Sequence, residues 1–404
     1  MQKNTLRSGI SLLVLPFLLV VSTWVIAQPS PSENGTVLVY KKGESFTQYR
    51  QRAHDYVFER KVWVNESNKQ RELSAVLPFE LLPDTEQCAE PAKAGVILSH
   101  GLSDSPFSMR DMAYALQAAC YHVRVVLLPG HGTRAEDLLD VHREDWRATF
   151  RSAADQFGQE VDTLYVGGFS TGGALAVEYA WQHSDRVAGV VLFSPVFKVN
   201  SRIDWLAPWL ALVKDWLDHR PSDDFAKYAS IPVPAIAQVY RLAKEVRAEL
   251  VDNPSDLPVF MALSEEDNTV DSSVSQTVFE LGMIGDKSRM VLYSQTQNSQ
   301  KNDRLTVQNT YWPEDNILGL SHMAIHGHPE NPYYGAEGEY RLCGWHATNE
   351  ERYQVCRKAK DNWFGEHSDA LFDQGNHAAR ISWNPHFHAL MQEITLFLQT
   401  NRYN

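Results

Sequence analysis

One stretch of the sequence, Gly168-Phe169-Ser170-Thr171-Gly172-Gly173, lies between an apolar run and a helical pattern. The apolar run at 163–167 predicts a strand, and the pattern at 174–180 predicts a helix. A serine on such a strand-to-helix turn has a strained backbone, and its hydroxyl projects above the sheet. Gly168 and Gly172 flank the serine because a Cβ at either position would collide with the neighbouring strand or helix. A glycine-rich turn that only packs a helix against a sheet is the alternative interpretation.

The rest of the chain alternates strands with helices. Strands are predicted at 94–99, 122–128, 187–193, 259–263 and 289–293, and helices at 109–119, 144–156 and 386–398. Since these strands are nearly continuous apolar runs, they belong in a parallel sheet that is covered on both faces. We therefore predict an α/β fold with a mostly parallel central sheet flanked by helices. Its core comprises residues 93–197 and 257–404.

Two segments interrupt this alternation. Residues 198–256 lack a strand pattern and are predicted to be helical, with an apolar stripe formed by Trp205, Trp209, Leu212 and Trp216. The stripe either packs this segment onto the core or lines an acyl pocket. Residues 323–383 are rich in Gly, Pro, Asn, His and aromatics, which predicts a loop-rich insertion. Residues 28–92 are predicted to form a linker and the N-terminal strands, one of them near 60–64.

The first 27 residues resemble an export signal. Lys3 and Arg7 precede an uncharged apolar run at 10–27, which ends in the small residue Ala27. This pattern predicts a signal peptide, or alternatively an uncleaved membrane anchor. In both cases the rest of the chain crosses the membrane, so we expect a periplasmic or secreted protein, or one anchored by residues 10–27.

The even number of cysteines suits export to an oxidising compartment and favours two disulfides over four free thiols. Cys88 and Cys120 precede the strands at 94–99 and 122–128. Because neighbouring parallel strands start at the same edge of a sheet, these two sulfurs are expected to pair. Cys343 and Cys356 lie in one insertion and would close a short ring.

The formal net charge of −13 argues against nucleic acid as a partner, since no run of Lys and Arg is present to bind phosphate. The acidity is spread along the chain and favours solubility. Neither a metal nor a cofactor is predicted, and the sequence leaves the oligomeric state open.

A serine nucleophile requires an imidazole to accept its proton and a carboxylate to orient that imidazole. In this architecture the expected chain order is Ser, then Asp or Glu, then His. The strand at 259–263 is followed by Asp267, which precedes a small turn and is a candidate for the acid. The rival carboxylates are Glu265, Glu266 and Asp271.

Three histidines, His322, His326 and His328, follow the last predicted core strand. Their spacing also permits a metal site, but no nearby Asp, Glu or Cys completes a ligand set. A histidine in this loop is the expected base for the serine.

The amides for an oxyanion hole are expected at the ends of two strands. Ser99-His100-Gly101-Leu102 ends the first apolar strand, and its glycine allows the amide of Leu102 to turn toward the serine. The amide of Thr171, at the start of the helix after Ser170, is the predicted second donor.

Five motifs occur together and in order: His100-Gly101-Leu102-Ser103-Asp104-Ser105-Pro106, Leu128-Pro129-Gly130-His131-Gly132, the glycine-flanked Ser170 turn, Asp267 with Val270, and Ser321-His322. Over residues 93–264, and more loosely at His322 and the final helix, the chain resembles the carboxylesterase and monoacylglycerol-lipase (serine aminopeptidase-type) branch of the α/β-hydrolases; the insertion at 323–383 is not part of that family's usual core. The resemblance implies a small-molecule ester or lipid substrate and an acyl-enzyme intermediate. It assigns Ser170, Asp267 and His322 as the triad, and residues 198–256 as a helical cap.

Other functions remain as alternatives. A peptidase or amidase shares this architecture, and a binding protein can use a hydrolase fold without a working site. A nucleotide-dependent oxidoreductase also has a glycine-rich strand-to-helix turn, but the G-x-G-x-x-G pattern is absent here.

Overall fold

The computed structural model of this chain describes residues 37–84, 86–88, 93–296, 303–366 and 377–402. The predicted signal or anchor segment, 1–27, lies outside these residues. Among the helices in the described ranges, none has the length and the apolar character that a membrane crossing requires.

The central sheet contains eight of the described strands. They are β1 (Phe79–Leu81), β2 (Ala94–Ser99), β3 (His122–Val126), β4 (Thr163–Phe169), β5 (Val187–Phe193), β6 (Val259–Ser264), β7 (Arg289–Ser294) and β8 (Leu305–Asn309). Their order is β1-β3-β2-β4-β5-β6-β7-β8. Only β1 is antiparallel to its neighbour. The predicted mostly parallel sheet is therefore confirmed.

The described part of the chain also contains helices, most of which cover the two faces of this sheet. The helices are α1 (Phe46–Arg60), α2 (Lys69–Val76), α3 (Arg110–Ala118), α4 (Arg143–Phe157), α5 (Thr171–Gln182), α6 (Ala207–Leu210), α7 (Val233–Asp252), α8 (Ser272–Gly282), α9 (Glu350–Lys358) and α10 (Phe387–Thr400); α6 and α9 lie in the two inserted segments. Residues of α1, α4, α5, α7 and α8 share one hydrophobic cluster, and those of α3 and α10 share another. Alternate strand residues enter opposite clusters: Ile97 joins the first, and Val96 joins the second. This is the layered arrangement expected for a parallel sheet buried on both faces.

The strand predicted near 60–64 is wrong. Helix α1 runs to Arg60, and the four residues after it form no strand. A capping box explains the start of this helix, because the Ser45 side chain accepts from the amide of Gln48 while the Gln48 side chain accepts from Ser45. Its buried residues are Phe46, Tyr49, Ala53 and Val57, spaced as on one face of a helix.

The predicted helical content of 198–256 is only partly confirmed. Helix α7 occupies its second half, but the first half holds only a short 3₁₀ turn and the four-residue α6. The apolar stripe does not pack onto the core: Trp205, Trp209 and Leu212 are exposed, Trp209 to 69%. The insertion at 323–383 is irregular as predicted, but it also contains α9 and a small parallel pair, β9 (Trp363–Gly365) and β10 (Ala378–Arg380).

Candidate active site

Ser170 occupies the turn between β4 and α5. Its φ of 54° and ψ of −115° place it in a region that residues with a side chain rarely adopt. Two backbone hydrogen bonds connect it to the end of β5: Ser170 N donates to Phe193 O at 3.0 Å, and Val196 N donates to Ser170 O at 3.1 Å. The strained turn is therefore held from the neighbouring strand, at the carboxyl edge of the sheet.

The two glycines beside Ser170 are required by close backbone packing. A Cβ on Gly172 would lie 2.3 Å from Ser99 O at the end of β2, and one on Gly168 would lie 2.6 Å from Gly172 C. Gly101 is also close, since its Cβ would lie 3.1 Å from Ser170 Cβ. The loop that follows β2 therefore contacts Ser170 directly through Gly101. Leu102 is the next residue of this loop.

Two buried imidazoles bind the loop after β2 to the loop after β3. His100 Nδ1 lies 2.8 Å from Gly101 O, and its Nε2 accepts from Leu128 N at 3.1 Å. His131 Nε2 accepts from Ser103 N at 3.1 Å. Burial lowers the pKa of His100 well below its usual range and that of His131 to about 4. Both rings are therefore neutral at physiological pH. A neutral imidazole has one donor and one acceptor nitrogen, which matches the contacts of each ring.

His322 and Asp267 are in direct contact. His322 Nδ1 lies 2.6 Å from Asp267 Oδ2, and both side chains are almost completely buried. The other carboxylate oxygen, Oδ1, accepts from Thr269 N at 2.7 Å and from Val270 N at 2.9 Å. The carboxylate is thus oriented by its own loop, and it faces the imidazole.

The three rival carboxylates have other partners. Glu265 accepts from Ser294 Oγ, Glu266 accepts from Gln295 N at 2.7 Å, and Asp271 accepts from Val274 N as the N-cap of α8. Of the four acids considered in the sequence, Asp267 is the one that contacts His322.

The three histidines separate in space and in environment. The rings of His322 and His326 both pack on Phe169, at centroid distances of 4.7 and 4.3 Å. Burial, together with the charges of His322 and Lys227, lowers the pKa of His326 to about 3. His328 instead packs on Phe387 in α10. Among the described residues no group of three His, Cys, Asp or Glu is placed to hold a metal.

Glu366 is a residue beside the site that the sequence does not predict. This buried carboxylate in the insertion accepts from His322 N at 3.1 Å, and from Arg380 Nη2 at 2.8 Å. The Ser321 hydroxyl also donates to the insertion, at Ile381 O, over 2.5 Å. The insertion therefore supports the chain on both sides of the peptide link between Ser321 and His322. No local sequence pattern distinguishes Glu366 from a solvated charge, so only the fold reveals its position.

Residues 198–256, here called the cap, contact the loops beside Ser170. Tyr228 N donates to Ser103 O at 2.8 Å, and the Tyr228 hydroxyl donates to Gly130 O at 3.1 Å. The cap also contacts the acid loop, because Asn200 Nδ2 donates to Asp267 O at 3.1 Å. The cap is therefore bonded to the loops after β2 and β3 and to the loop that carries Asp267. Within the described chain no hydrogen bond joins the Ser170 hydroxyl to His322.

The structure contains both expected disulfides. Cys88 pairs with Cys120 at a Cα–Cα distance of 5.7 Å, and Cys343 pairs with Cys356 at 6.0 Å. The first bridge joins the segments leading into β2 and β3, and the second lies within the insertion, where it connects the segment before α9 to α9 itself.

The chain is similar to known lipases and esterases. A family model described as "Serine aminopeptidase, S33" matches residues 90–222. A thermostable monoacylglycerol lipase of Bacillus sp. (strain H-257) is 30% identical over 203 residues, which cover 48% of this chain and 78% of the lipase. Among the similar solved structures, two each cover 54% of this chain. One, from a study of the metagenome-derived lipolytic enzymes LipS and LipT, is 25% identical with a TM-score of 0.47 over 86% of its own chain. The other, a monoglyceride lipase from Saccharomyces cerevisiae, is 16% identical with a TM-score of 0.45 over 82%.

The similarity to the Bacillus lipase extends over more than two thirds of that protein. It accompanies a mostly parallel sheet with a strained serine between a strand and a helix, which is the architecture expected for this family. The chain belongs to the α/β-hydrolases, in the branch that contains the monoacylglycerol lipases.

Proposed function

We propose that this serine ester hydrolase cleaves carboxylic esters with Ser170 as nucleophile, His322 as general base and Asp267 as the orienting acid. The observation that carries the proposal is the 2.6 Å contact between His322 Nδ1 and Asp267 Oδ2, with Ser170 strained on its turn nearby. A hydrogen bond from Nδ1 to a carboxylate leaves Nε2 as the proton acceptor, which is the tautomer a serine nucleophile requires.

The reaction proceeds through an acyl-enzyme. Ser170 Oγ attacks the ester carbonyl carbon while His322 Nε2 takes the serine proton, and the carbonyl π electrons move to oxygen. The amides of Leu102 and Thr171 donate to this oxyanion, and loss of one such donor costs about 3–4 kcal/mol. The intermediate collapses, the alcohol leaves with the proton from His322, and an ester of Ser170 remains. Water, activated by His322, then releases the acid and restores the serine.

The proposed substrates are small-molecule esters or lipids. The Bacillus relative is a monoacylglycerol lipase by name, which supports this substrate class. We further propose that the protein acts after export, since an apolar signal-like segment begins the sequence and two disulfides suit an oxidising compartment.

Replacement of the nucleophile tests the function. Ser170→Ala is expected to lower kcat for 4-nitrophenyl esters by about 10⁴-fold or more, because a triad without its serine retains only binding and the oxyanion site. Labelling the wild-type protein with a fluorophosphonate and mapping the modified peptide is expected to identify Ser170. Ser273→Ala, at an exposed serine of α8, is the matched control and should retain activity and labelling. Full turnover by a folded Ser170→Ala variant would contradict the proposal.

A further inference from the structure

A cavity of about 600 Å³ lies between the cap and the insertion. Residues 220–229 of the cap form one wall, and residues 340–354 of the insertion form much of the other. Two of its lining residues adjoin the proposed site: Met323 follows His322 in the chain, and Tyr228 N is bonded to Ser103 O in the loop beside Ser170. Its volume suits a small organic ligand.

Lys227 lines this cavity without a counter-ion among the described residues. The contact that its ammonium makes there is with Met323 Sδ, at 3.6 Å, and no carboxylate in the described ranges lies within ion-pair distance of it. Burial lowers the pKa of Lys227, with Asp104 acting in the opposite direction. A partly buried ammonium facing a sulfur atom is poorly compensated for the water it has lost.

The two acidic residues whose charges act on Lys227, Asp224 and Asp104, form no ion pair with its ammonium. Asp224 accepts from the hydroxyls of Tyr333 and Tyr334, at 3.2 and 2.6 Å. Asp104 accepts from Ser105 N through Oδ1, its Oδ2 lacks a hydrogen-bond partner, and burial raises its pKa. Neither carboxyl group lies within ion-pair distance of the Lys227 ammonium.

The two other cations that line the cavity differ from Lys227. Arg380 pairs with Glu366 at 2.7 Å, and Arg220 lies 3.7 Å from Asp218. Each therefore has a carboxylate partner in the free protein. Lys227 is the cation of this cavity wall whose charge is left for a ligand.

We propose that the cavity binds the charged end of an ester substrate and that Lys227 forms an ion pair with a carboxylate on that substrate. The proposal rests on the proposed ester hydrolysis at Ser170. An incoming carboxylate would neutralise the ammonium and accept its hydrogen bonds, so that binding offsets a desolvation already present in the free protein. The enzyme would accordingly favour carboxylate-bearing esters over neutral esters of the same length.

Matched ester pairs test this selectivity. The neutral ester of both pairs is 4-nitrophenyl octanoate. In the first pair, mono(4-nitrophenyl) suberate carries the carboxylate on the acyl side. In the second pair, 3-carboxy-4-nitrophenyl octanoate carries it on the leaving group. The measured quantity is the ratio of kcat/KM for the charged ester to that for the neutral ester. Lys227→Met is expected to lower this ratio about tenfold or more in one of the two arms, as loss of a charge-assisted hydrogen bond implies. Lys227→Arg should retain much of it, and Lys214→Met, at an exposed cap lysine, should leave it unchanged.

The arm in which the ratio falls identifies which side of the ester lies in the cavity. A ratio that Lys227→Met leaves unchanged in both arms, or that Lys214→Met lowers equally, overturns the proposal. The neutral ester and the Ser170→Ala variant report separately on the proposed function. Hydrolysis of 4-nitrophenyl octanoate that depends on Ser170 would uphold the esterase even where the carboxylate subsite is refuted.

Discussion

Asp267 is held by its own loop before any substrate arrives. Its Oδ1 accepts two backbone amides, those of Thr269 and Val270, while Oδ2 faces His322. These bonds keep the carboxylate in one orientation, so the imidazole is oriented without further rearrangement. The strain at Ser170 serves the same purpose, because the serine is presented on its turn by backbone packing rather than by the ligand.

At this residue scale, Asp267→Asn separates orientation from folding. The asparagine carbonyl can still accept the two amides, so we expect the fold to survive. Its amide group would face His322 Nδ1 and favour the wrong tautomer, which lowers kcat by about 10⁴-fold in comparable triads. Asp271→Asn is the control: asparagine can still serve as the N-cap of α8, and only the ion pair with Lys198 at 2.8 Å is lost, so kcat should not fall similarly. Near-normal turnover by Asp267→Asn would remove this residue from the triad.

Among the structural elements, the cap and the insertion are joined by tyrosine–aspartate hydrogen bonds. Asp224 in the cap accepts from Tyr333 and Tyr334 of the insertion, and Asp223 accepts from Tyr340 at 2.6 Å. These hydrogen bonds attach the cap to the insertion, in addition to its contacts with the core. Most of the residues involved are buried.

This contact predicts a pH dependence of stability. Burial raises the pKa of Asp224 to about 6, above the value of about 3.9 expected for an unfolded chain. A raised carboxyl pKa means that the folded state retains the proton, so its contribution is full below pH 3.9 and is lost as the pH rises through 6. Relative to Asp224→Asn, the wild type is expected to lose about 2 kcal/mol of unfolding free energy between pH 4 and 7. Urea denaturation at both pH values measures this difference. The control is Asp218→Asn, at an exposed carboxyl of the cap, which should leave the pH dependence of the wild type unchanged.

The exposed apolar residues of the cap yield a second prediction for this element. Trp209 is 69% exposed, so Trp209→Ala should change the unfolding free energy by no more than about 0.5 kcal/mol. Trp146 of α4 is fully buried, and Trp146→Ala should cost about 3–5 kcal/mol. Thermal and urea denaturation of the two variants provide the comparison. A large loss for Trp209→Ala would mean that this residue packs in the folded protein after all.

For the whole molecule, the two disulfides should contribute unequally. They close segments separated by 32 and 13 residues. In the chain-entropy model this corresponds to about 4 and about 3 kcal/mol, because the longer loop restricts the unfolded chain more. Paired Cys→Ser replacements of each bridge, followed by urea denaturation, would measure both contributions. A larger effect for the Cys343–Cys356 bridge would show that local strain or contacts dominate over loop length.

The sequence predicts strands β2 to β7 of the central sheet, because these are apolar runs that are buried on both faces, but it does not predict the half-buried β1 and β8. Strand β5 lies at Val187–Phe193, as predicted. The candidate Asp267 and His322 also lie together, since the chain order and the strand ends restrict where such residues can be. Local sequence patterns are sufficient to predict a pair of site residues when both residues lie in loops that follow core strands.

The failures occur where local patterns are weak or compete. Residues 60–64 resemble a strand through Val62, Trp63 and Val64, but the capping box at Ser45 starts a helix that runs up to Arg60. Helix α9 was missed because its sequence is polar, with Cys356 as its one buried residue. The position of Glu366 depends on contacts made across a long insertion, for which no sequence spacing exists.

The hydrogen bond from His322 N to Glu366 has a practical consequence for protein engineering. Excision of residues 329–380 would be one route to a smaller scaffold. That deletion would remove the acceptor for the His322 amide, while Ser170 and Asp267 would remain in place. A compact derivative of this enzyme would therefore need a replacement support for the His322 loop, and a replacement for the tyrosine partners that Asp224 would lose.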